Sequence, residues 1–293
     1  MTEQVQQGRP RLIAVVGATG TGKSDLALDL VDALAEAGRR AEIINADAMQ
    51  LYRGMDIGTA KLPFADRRGI PHHLLDVLEP THDASVSEYQ ALAREAVTRL
   101  QGGGITPVLV GGSGLYVSSV VQDFVFPARD EQVRARLETD LERLGATALH
   151  ARLACLDPAA AEKVDRANGR RVVRALEVVE LEGTFTPGLP EHRPPWQRAV
   201  VLGLRADRAV LVPRLDARVR RMWDGGLVDE VEALRPAGFG TTAARAIGYA
   251  QALAPLDGDL DRAVEQWTAY CAALTAAGWD VVEVEPADDC PDA

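Results

Sequence analysis

Apolar residues fall along this chain in two alternating rhythms. Short continuous runs occur at 11–16 (RLIAVV), 41–45 (AEIIN), 73–78 (HLLDVL) and 106–112 (TPVLVGG), each of strand length. Between them the spacing becomes helical: SDLALDLVDALAEAG runs from Ser24 to Gly38, and an amphipathic stretch lies near 87–101. Buried strands alternating with helices predict a parallel sheet covered by helices. From about 128 to 183 the strand-like runs stop, and RDEQVRARLETDLERLG, ALHARLACL, PAAAEKV and GRRVVRALEVVELEG all read as helices. A Pro-rich connector, PGLPEHRPPW, then leads to a strand at 198–206. Helices are expected at 208–223, 227–235, 243–252 and 260–277, followed by a strand in WDVVEVE.

The pattern gives an α/β fold with an inserted helical domain. Its expected divisions are a first part of the core at 1–127, the insertion at 128–190, and a return to the core at 191–293. A chain of 293 residues is long enough for one full core and a smaller appended domain.

The turn after the first strand carries the first chemistry. GATGTGKS, from Gly17 to Ser24, fits GxxxxGK[ST] between an expected strand and an expected helix, which is the context a phosphate-binding P-loop requires. Its glycines Gly17, Gly20 and Gly22 let backbone N–H groups curl around phosphate oxygens. Ala18, Thr19 and Thr21 complete the loop, Lys23 supplies a point charge, and Ser24 can ligate Mg²⁺. Kinases, hydrolases and diphosphate-releasing transferases all use this cradle, so the loop alone leaves the reaction open. Lysine is otherwise scarce: Lys23, Lys61 and Lys163 are the three among 32 basic residues.

Asp47 follows the second strand, at the carboxyl edge of the sheet where ligands of open α/β folds bind. It can act as a base, as a turn or cap carboxylate, or as a metal ligand. Arg214, Arg218 and Arg221 recur at helical spacing, as do Arg166, Arg170 and Arg174 with Arg171 beside them. On spacing alone the first set reads as a solvated helix face. The second reads equally as a phosphate-contacting face or as a surface helix pairing with acids such as Glu177.

Asp47, Tyr52 and the run Arg53-Gly54-Met55-Asp56-Ile57-Gly58-Thr59-Ala60-Lys61 resemble the tRNA dimethylallyltransferase (isopentenyltransferase) family. The resemblance continues through PHHLLDV, VGGSGLY, GRRVVRALEV, RVRRMWDGGLVDEV and RAIGY, covering residues 11 to about 252. It departs at Ala18, Ala48, Ser113 and Ala250, and after Arg262 the chain has no arginine.

The resemblance implies a P-loop NTPase-like parallel sheet flanked by helices, with a tRNA-binding helical insertion. It implies transfer of a dimethylallyl group from dimethylallyl diphosphate to N6 of the adenosine 3′ to the anticodon. Asp47 would be the base, with Thr19 and Arg218 as catalytic partners. The P-loop and Arg214 would hold the diphosphate, and Mg²⁺ would sit on Ser24. The tRNA anticodon stem-loop would meet Asp47, Ala48, Met49, Gln50, Ser113, Arg134, Arg170, Arg171, Arg174, Arg245, Gly248 and Tyr249. A prenyltransferase acting on free AMP or ADP, and a catalytically weak tRNA-binding homologue, remain alternatives.

Composition limits partners more than it identifies them. A net charge of −11 opposes nonspecific nucleic-acid binding by the whole surface, so RNA would need a local basic face. Cys155, Cys271 and Cys290 are odd in number and widely spaced, which suggests neither a disulfide framework nor a zinc site. The pair His72 and His73 reads as strand-edge packing in preference to metal ligation. With no apolar run of spanning length and no signal-like start, a cytoplasmic protein without membrane contact is expected, and a monomer.

Overall fold

The computed structural model describes residues 11–186 and 194–256. The helix expected at 260–277, the WDVVEVE strand, Cys271 and Cys290 lie outside the described residues, as does most of the Pro-rich connector. The described chain forms two compact units. One comprises the residues up to Val121 together with those from Gln197 on, and the other is Gln122–Trp196.

The first unit is built on five parallel strands: β1 (Leu12–Gly17), β2 (Ala41–Asn45), β3 (His72–His73), β4 (Thr106–Gly111) and β5 (Ala199–Leu204), in the order β3-β2-β4-β1-β5. Central β4 is buried along its whole length, which accounts for its unbroken apolar run. Val15, Ile43, Val108 and Val110 pack with Ala27, Leu28 and Val31 of α1 (Lys23–Glu36). The intervening Ala14, Ile44 and Leu109 point to the opposite face, as a pleat of period two dictates, and are equally buried. Helix α2 (Val86–Gly102) starts at Ser85, whose hydroxyl accepts the N–H of Glu88, and it packs with α3 (Gly114–Val121) and against β4.

Two elements of this unit differ from the sequence expectation. The strand expected over 73–78 ends at His73. Leu74 and Asp76 adopt left-handed backbone angles, φ 60° and 57°, because polar groups hold the chain away from the sheet. Asn45 Nδ2 donates to the Leu74 carbonyl at 3.0 Å, and Asp76 pairs with Lys61 at 2.6 Å. The helix expected over 243–252 is broken into a 3-10 turn at Ala243–Arg245 and helix α10, Tyr249–Leu256, separated at Gly248 with φ 92°. The helices expected at 208–223 and 227–235 are α8 (Arg208–Asp224) and α9 (Leu227–Leu234).

The second unit contains α4 (Glu131–Leu144), α5 (Ala146–Leu156), α6 (Pro158–Lys163) and α7 (Gly169–Glu182) around a core of Leu137, Leu149, Leu153, Val172 and Leu176. Asp130, Asp157 and Asn168 cap α4, α6 and α7 by accepting first-turn N–H groups. Because α7 begins at Gly169, Arg166 lies before it and does not share a helix face with Arg170 and Arg174. Cys155 is an exposed free thiol. Among the described residues, no helix is long and apolar enough to cross a membrane.

The carboxyl ends of β2 and β4 meet at Gly111. A Cβ there would lie 2.3 Å from the Ala46 carbonyl oxygen, so the strands can converge only with glycine at this position. Gly111→Ala is expected to cost about 2 kcal/mol or more through overpacking of backbone against backbone. Gly114→Ala, where the added methyl meets nothing within 4 Å, is expected to leave stability nearly unchanged. Denaturant midpoints of the two variants check this pair.

Candidate active site

Helix α1 begins at Lys23 directly after Gly22, which takes a left-handed conformation (φ 86°, ψ 25°) and supplies no side-chain cap. The first-turn amides thus face outward for an anion, with the positive end of the helix dipole behind them. Within the loop, the Ala18 carbonyl accepts both the Thr21 hydroxyl and Lys23 Nζ at 2.8 Å. Gly112, just past β4, lies so close that a Cβ would meet Gly17 O at 3.2 Å and Lys23 Nζ at 3.3 Å.

Asp47 sits two residues beyond β2. Asn45 holds it: Asn45 Oδ1 accepts the Asp47 N–H at 2.9 Å, and Asn45 Nδ2 donates to the Asp47 carbonyl at 3.0 Å. Asp47 Oδ1 accepts the Met49 N–H at 2.9 Å and so caps the 3-10 turn Met49–Leu51. The capping role weighed for this carboxylate is therefore real, yet it occupies one oxygen. The other has no hydrogen-bond or ion-pair partner among the described residues.

Helix α8 lies across the P-loop. Arg214 donates to the Gly20 carbonyl at 3.4 Å, and a Cβ on Gly20 would meet Leu215 at 3.4 Å. One turn on, Arg218 donates to the Thr59 carbonyl at 3.3 Å. Arg221 turns back to the Ala217 carbonyl of its own helix, so the three arginines do not act as one face. Thr19, Lys23, Ser24, Asp47, Gln50 and Arg218 together line one cavity of about 100 Å³, with Asn45, His72, Leu75 and Gly112 completing its wall.

Burial lowers the pKa of Lys23, an effect that Asp47 opposes and Arg218 reinforces. Burial likewise lowers that of Arg218, again opposed by Asp47. Among the described residues, no cluster of three His, Cys, Asp or Glu side chains could hold a metal by itself. The Ser24 hydroxyl beside an anion cradle suits a hard cation that takes its remaining ligands from substrate oxygens and water.

This cavity lies at the carboxyl ends of parallel strands, as open α/β sheets place their ligands. A family model described as IPP transferase matches residues 50–274. The chain belongs to that family. Among curated relatives of this IPP transferase family member, a tRNA dimethylallyltransferase of Clavibacter sepedonicus is 53% identical, covering 95% of this chain and 94% of its own. Another, from Thermobifida fusca, is 56% identical over 85% of this chain and 78% of its own. The solved structure of the Bacillus halodurans tRNA isopentenylpyrophosphate transferase superposes with a TM-score of 0.59 at 35% identity, covering 93% of this chain and 88% of that one.

Several residues expected at an RNA surface have other work in the fold. Tyr249 is fully buried and its hydroxyl donates to Glu230, so its side chain packs and anchors within the fold. Met49 packs against the cluster containing Tyr52 and Tyr249. Arg134 and Arg174 both reach the fully buried Glu177, at 3.4 and 2.9 Å, and Arg174 also donates to the carbonyls of Pro127 and Ala128. These two arginines pair with a core carboxylate, and for Arg174 the pairing with Glu177 is one of the two readings that spacing left open. Arg170 and Arg171 are exposed at the start of α7, and Arg245 is exposed in its 3-10 turn. Ser113 and Ala48 are partly exposed near strand ends, and Gly248 donates its N–H to Gln251.

Asn45 and a cavity-facing role for His72 are absent from the sequence expectations. A buried Asn closing an apolar strand was the available signal for the first, since it must spend its amide on backbone. His72 was read as strand-edge packing, and it does sit on the edge strand with Nδ1 at the Ile70 carbonyl, but it also reaches the cavity wall. His73 packs by pairing with Glu42 at 2.7 Å.

The Lys23 shift gives a stability prediction. Below both the folded and the unfolded pKa of Lys23 the cost of burying the ammonium is present in full. As pH rises from the lowered folded value toward 10.5, the folded chain releases its proton first and the cost disappears. Lys23→Met is therefore expected to raise the melting temperature at pH 7, with a gain that shrinks as pH approaches 10.5. Thermal unfolding of both forms across that range measures it.

Proposed function

We propose that this protein transfers a dimethylallyl group from dimethylallyl diphosphate to N6 of the tRNA adenosine 3′ to the anticodon. The observation carrying this reading is that one cavity brings a phosphate cradle, two half-buried cations and a single positioned carboxylate together. The names of its relatives, tRNA dimethylallyltransferase and tRNA isopentenylpyrophosphate transferase, support tRNA as substrate and a five-carbon diphosphate as donor.

In this reaction the N6 nitrogen forms a bond to C1 of the donor, the C1–O bond breaks with its electron pair leaving on diphosphate, and the nitrogen loses one proton. The first-turn amides of α1, Lys23 and Arg218 meet the charge that grows on the departing oxygens. Thr19 adds a hydroxyl, and Arg214 braces the loop through Gly20. Mg²⁺ bound beside Ser24 would supply Lewis-acid neutralisation of the same oxygens. The unpartnered oxygen of Asp47 takes the proton, while its other oxygen stays on the Met49 amide and fixes its direction.

An adenine stacked in an anticodon loop cannot enter a cavity of this size, so the base must turn out of its stack. Gripping such a loop is the role assigned to the helical unit. Its exposed Arg170 and Arg171 suit phosphate contact, whereas Arg134 and Arg174 are committed to Glu177.

Incubation with dimethylallyl diphosphate, Mg²⁺ and unmodified tRNA is expected to yield N6-prenylated adenosine, faster than AMP is prenylated. Absence of product on folded tRNA overturns the reading, and faster reaction with AMP moves it to the free-nucleotide class. Asp47→Asn is expected to lower kcat by about 10²- to 10⁴-fold with donor affinity little changed. The double variant Arg170→Ala/Arg171→Ala is expected to raise KM for tRNA and leave melting temperature unchanged. Arg174→Ala should instead lower the melting temperature.

A further inference from the structure

Outside the cavity, one carboxylate is unusually well supplied with donors. Glu230, on α9, accepts the backbone N–H groups of Asp56, Ile57 and Gly58 at 3.0, 2.8 and 3.4 Å, and also the Tyr249 hydroxyl. Three successive amides turned toward one anion form a nest, and hydrogen bonds to an ionised acceptor are the strong class. Gly58 is pressed against Tyr249: a Cβ there would lie 2.4 Å from the ring. Glu230 and Tyr249 thus fix the front of the segment 56–60 from one side.

The segment is stiff beyond that point. The Thr59 hydroxyl donates to the Met55 carbonyl at 2.6 Å, the Ala60 N–H to Ile57 at 2.9 Å, and the Lys61 N–H to Asp56 at 2.9 Å, with Ala60 at φ 48°. The buried Lys61 ammonium closes the base by pairing with Asp56 and Asp76 at 2.6 Å and donating to the Tyr52 carbonyl at 2.7 Å. Ala60 of this stiff segment lines the cavity, and the Thr59 carbonyl beside it is the acceptor for two side chains that also line it. Arg218 donates to this carbonyl at 3.3 Å and Gln50 at 3.1 Å.

We propose that Glu230 is a positioning residue for the transfer reaction: by holding the amides of residues 56–58 it sets the Thr59 carbonyl, which aims the Arg218 guanidinium into the cavity. The inference rests on the reading of Arg218 as a contact to the leaving diphosphate. Removing the nest would leave the P-loop intact. Donor binding would therefore survive while the stabilisation that grows during bond breaking is lost, a change in kcat more than in KM.

The test is a double-mutant cycle between Glu230 and Arg218. Glu230→Ala is expected to lower kcat more than tenfold with KM for dimethylallyl diphosphate within about twofold. Glu230→Gln, which keeps an acceptor oxygen of the same reach, is expected to recover most of the loss. In an Arg218→Ala background both changes should alter kcat by less than about twofold, because the guanidinium they aim is gone. Melting temperatures are read alongside, and if Glu230→Ala does not fold, Glu230→Gln carries the cycle with a smaller fall that vanishes in the same background. A fall in kcat that persists at full size in the Arg218→Ala background overturns the proposal, as does unchanged kcat in the folded variants. An Arg218→Ala enzyme with normal kcat would overturn the underlying reading of Arg218.

Discussion

Two half-buried cations facing one carboxylate set the terms for the rest of this structure. Lys23 and Arg218 both lose solvent in the cavity, and Asp47 offsets that loss only through its field, since no ion pair forms within 4 Å. The pocket is therefore left electropositive inside a protein of net charge −11. A doubly charged leaving group satisfies such a pocket better than the chain's own acids do, and satisfies it more as negative charge accumulates on its oxygens. In the proposed reaction, phosphate binding and stabilisation of bond breaking would be the same electrostatic arrangement at two moments.

Holding that arrangement requires backbone to approach backbone. Gly111 lets β4 close on the Ala46 carbonyl, and Gly112 lets the next residue pass beside Lys23. Asp47 is kept at the strand end by Asn45 and by its own bond to Met49. Across the cavity, Arg218 depends on a carbonyl of the 56–60 segment, held by Glu230 on one side and by Lys61 on the other. The groups lining the cavity come from widely separated parts of the chain and are restrained by neighbours, among them Asn45 in the cavity wall and Glu230 outside it.

Much of this was legible in the sequence because it follows from local rules. The strand, glycine turn and helix from Leu12 to Glu36 are written in apolar periodicity and in the P-loop spacing. The four central and edge strands paired in long register likewise announced themselves as apolar runs. Where long-range polar contacts override local pattern, the reading failed. Nothing in HLLDVL reports that Asn45 and Lys61, distant in sequence, would seize Leu74 and Asp76 and bend the chain out of the sheet. Tyr249 and Arg174 sit in segments rich in family matches, yet their partners Glu230 and Glu177 turn them inward. A motif records that a residue type is needed, and only the packing tells whether it faces a substrate or a neighbour.

The scarcity of lysine has a practical consequence for chemical probing of this protein. Lys61 is buried and triply bonded, Lys23 is recessed in the cavity, and Lys163 is exposed at the end of a short helix. An amine-directed reagent therefore meets one open side-chain target and one guarded one, apart from the chain's α-amine. The depressed pKa of Lys23 favours its neutral, nucleophilic form, so it reacts once a reagent can reach it. Its modification relative to that of Lys163 becomes an internal gauge of how full the phosphate cradle is, a label-based occupancy signal written into the protein by its preference for arginine elsewhere.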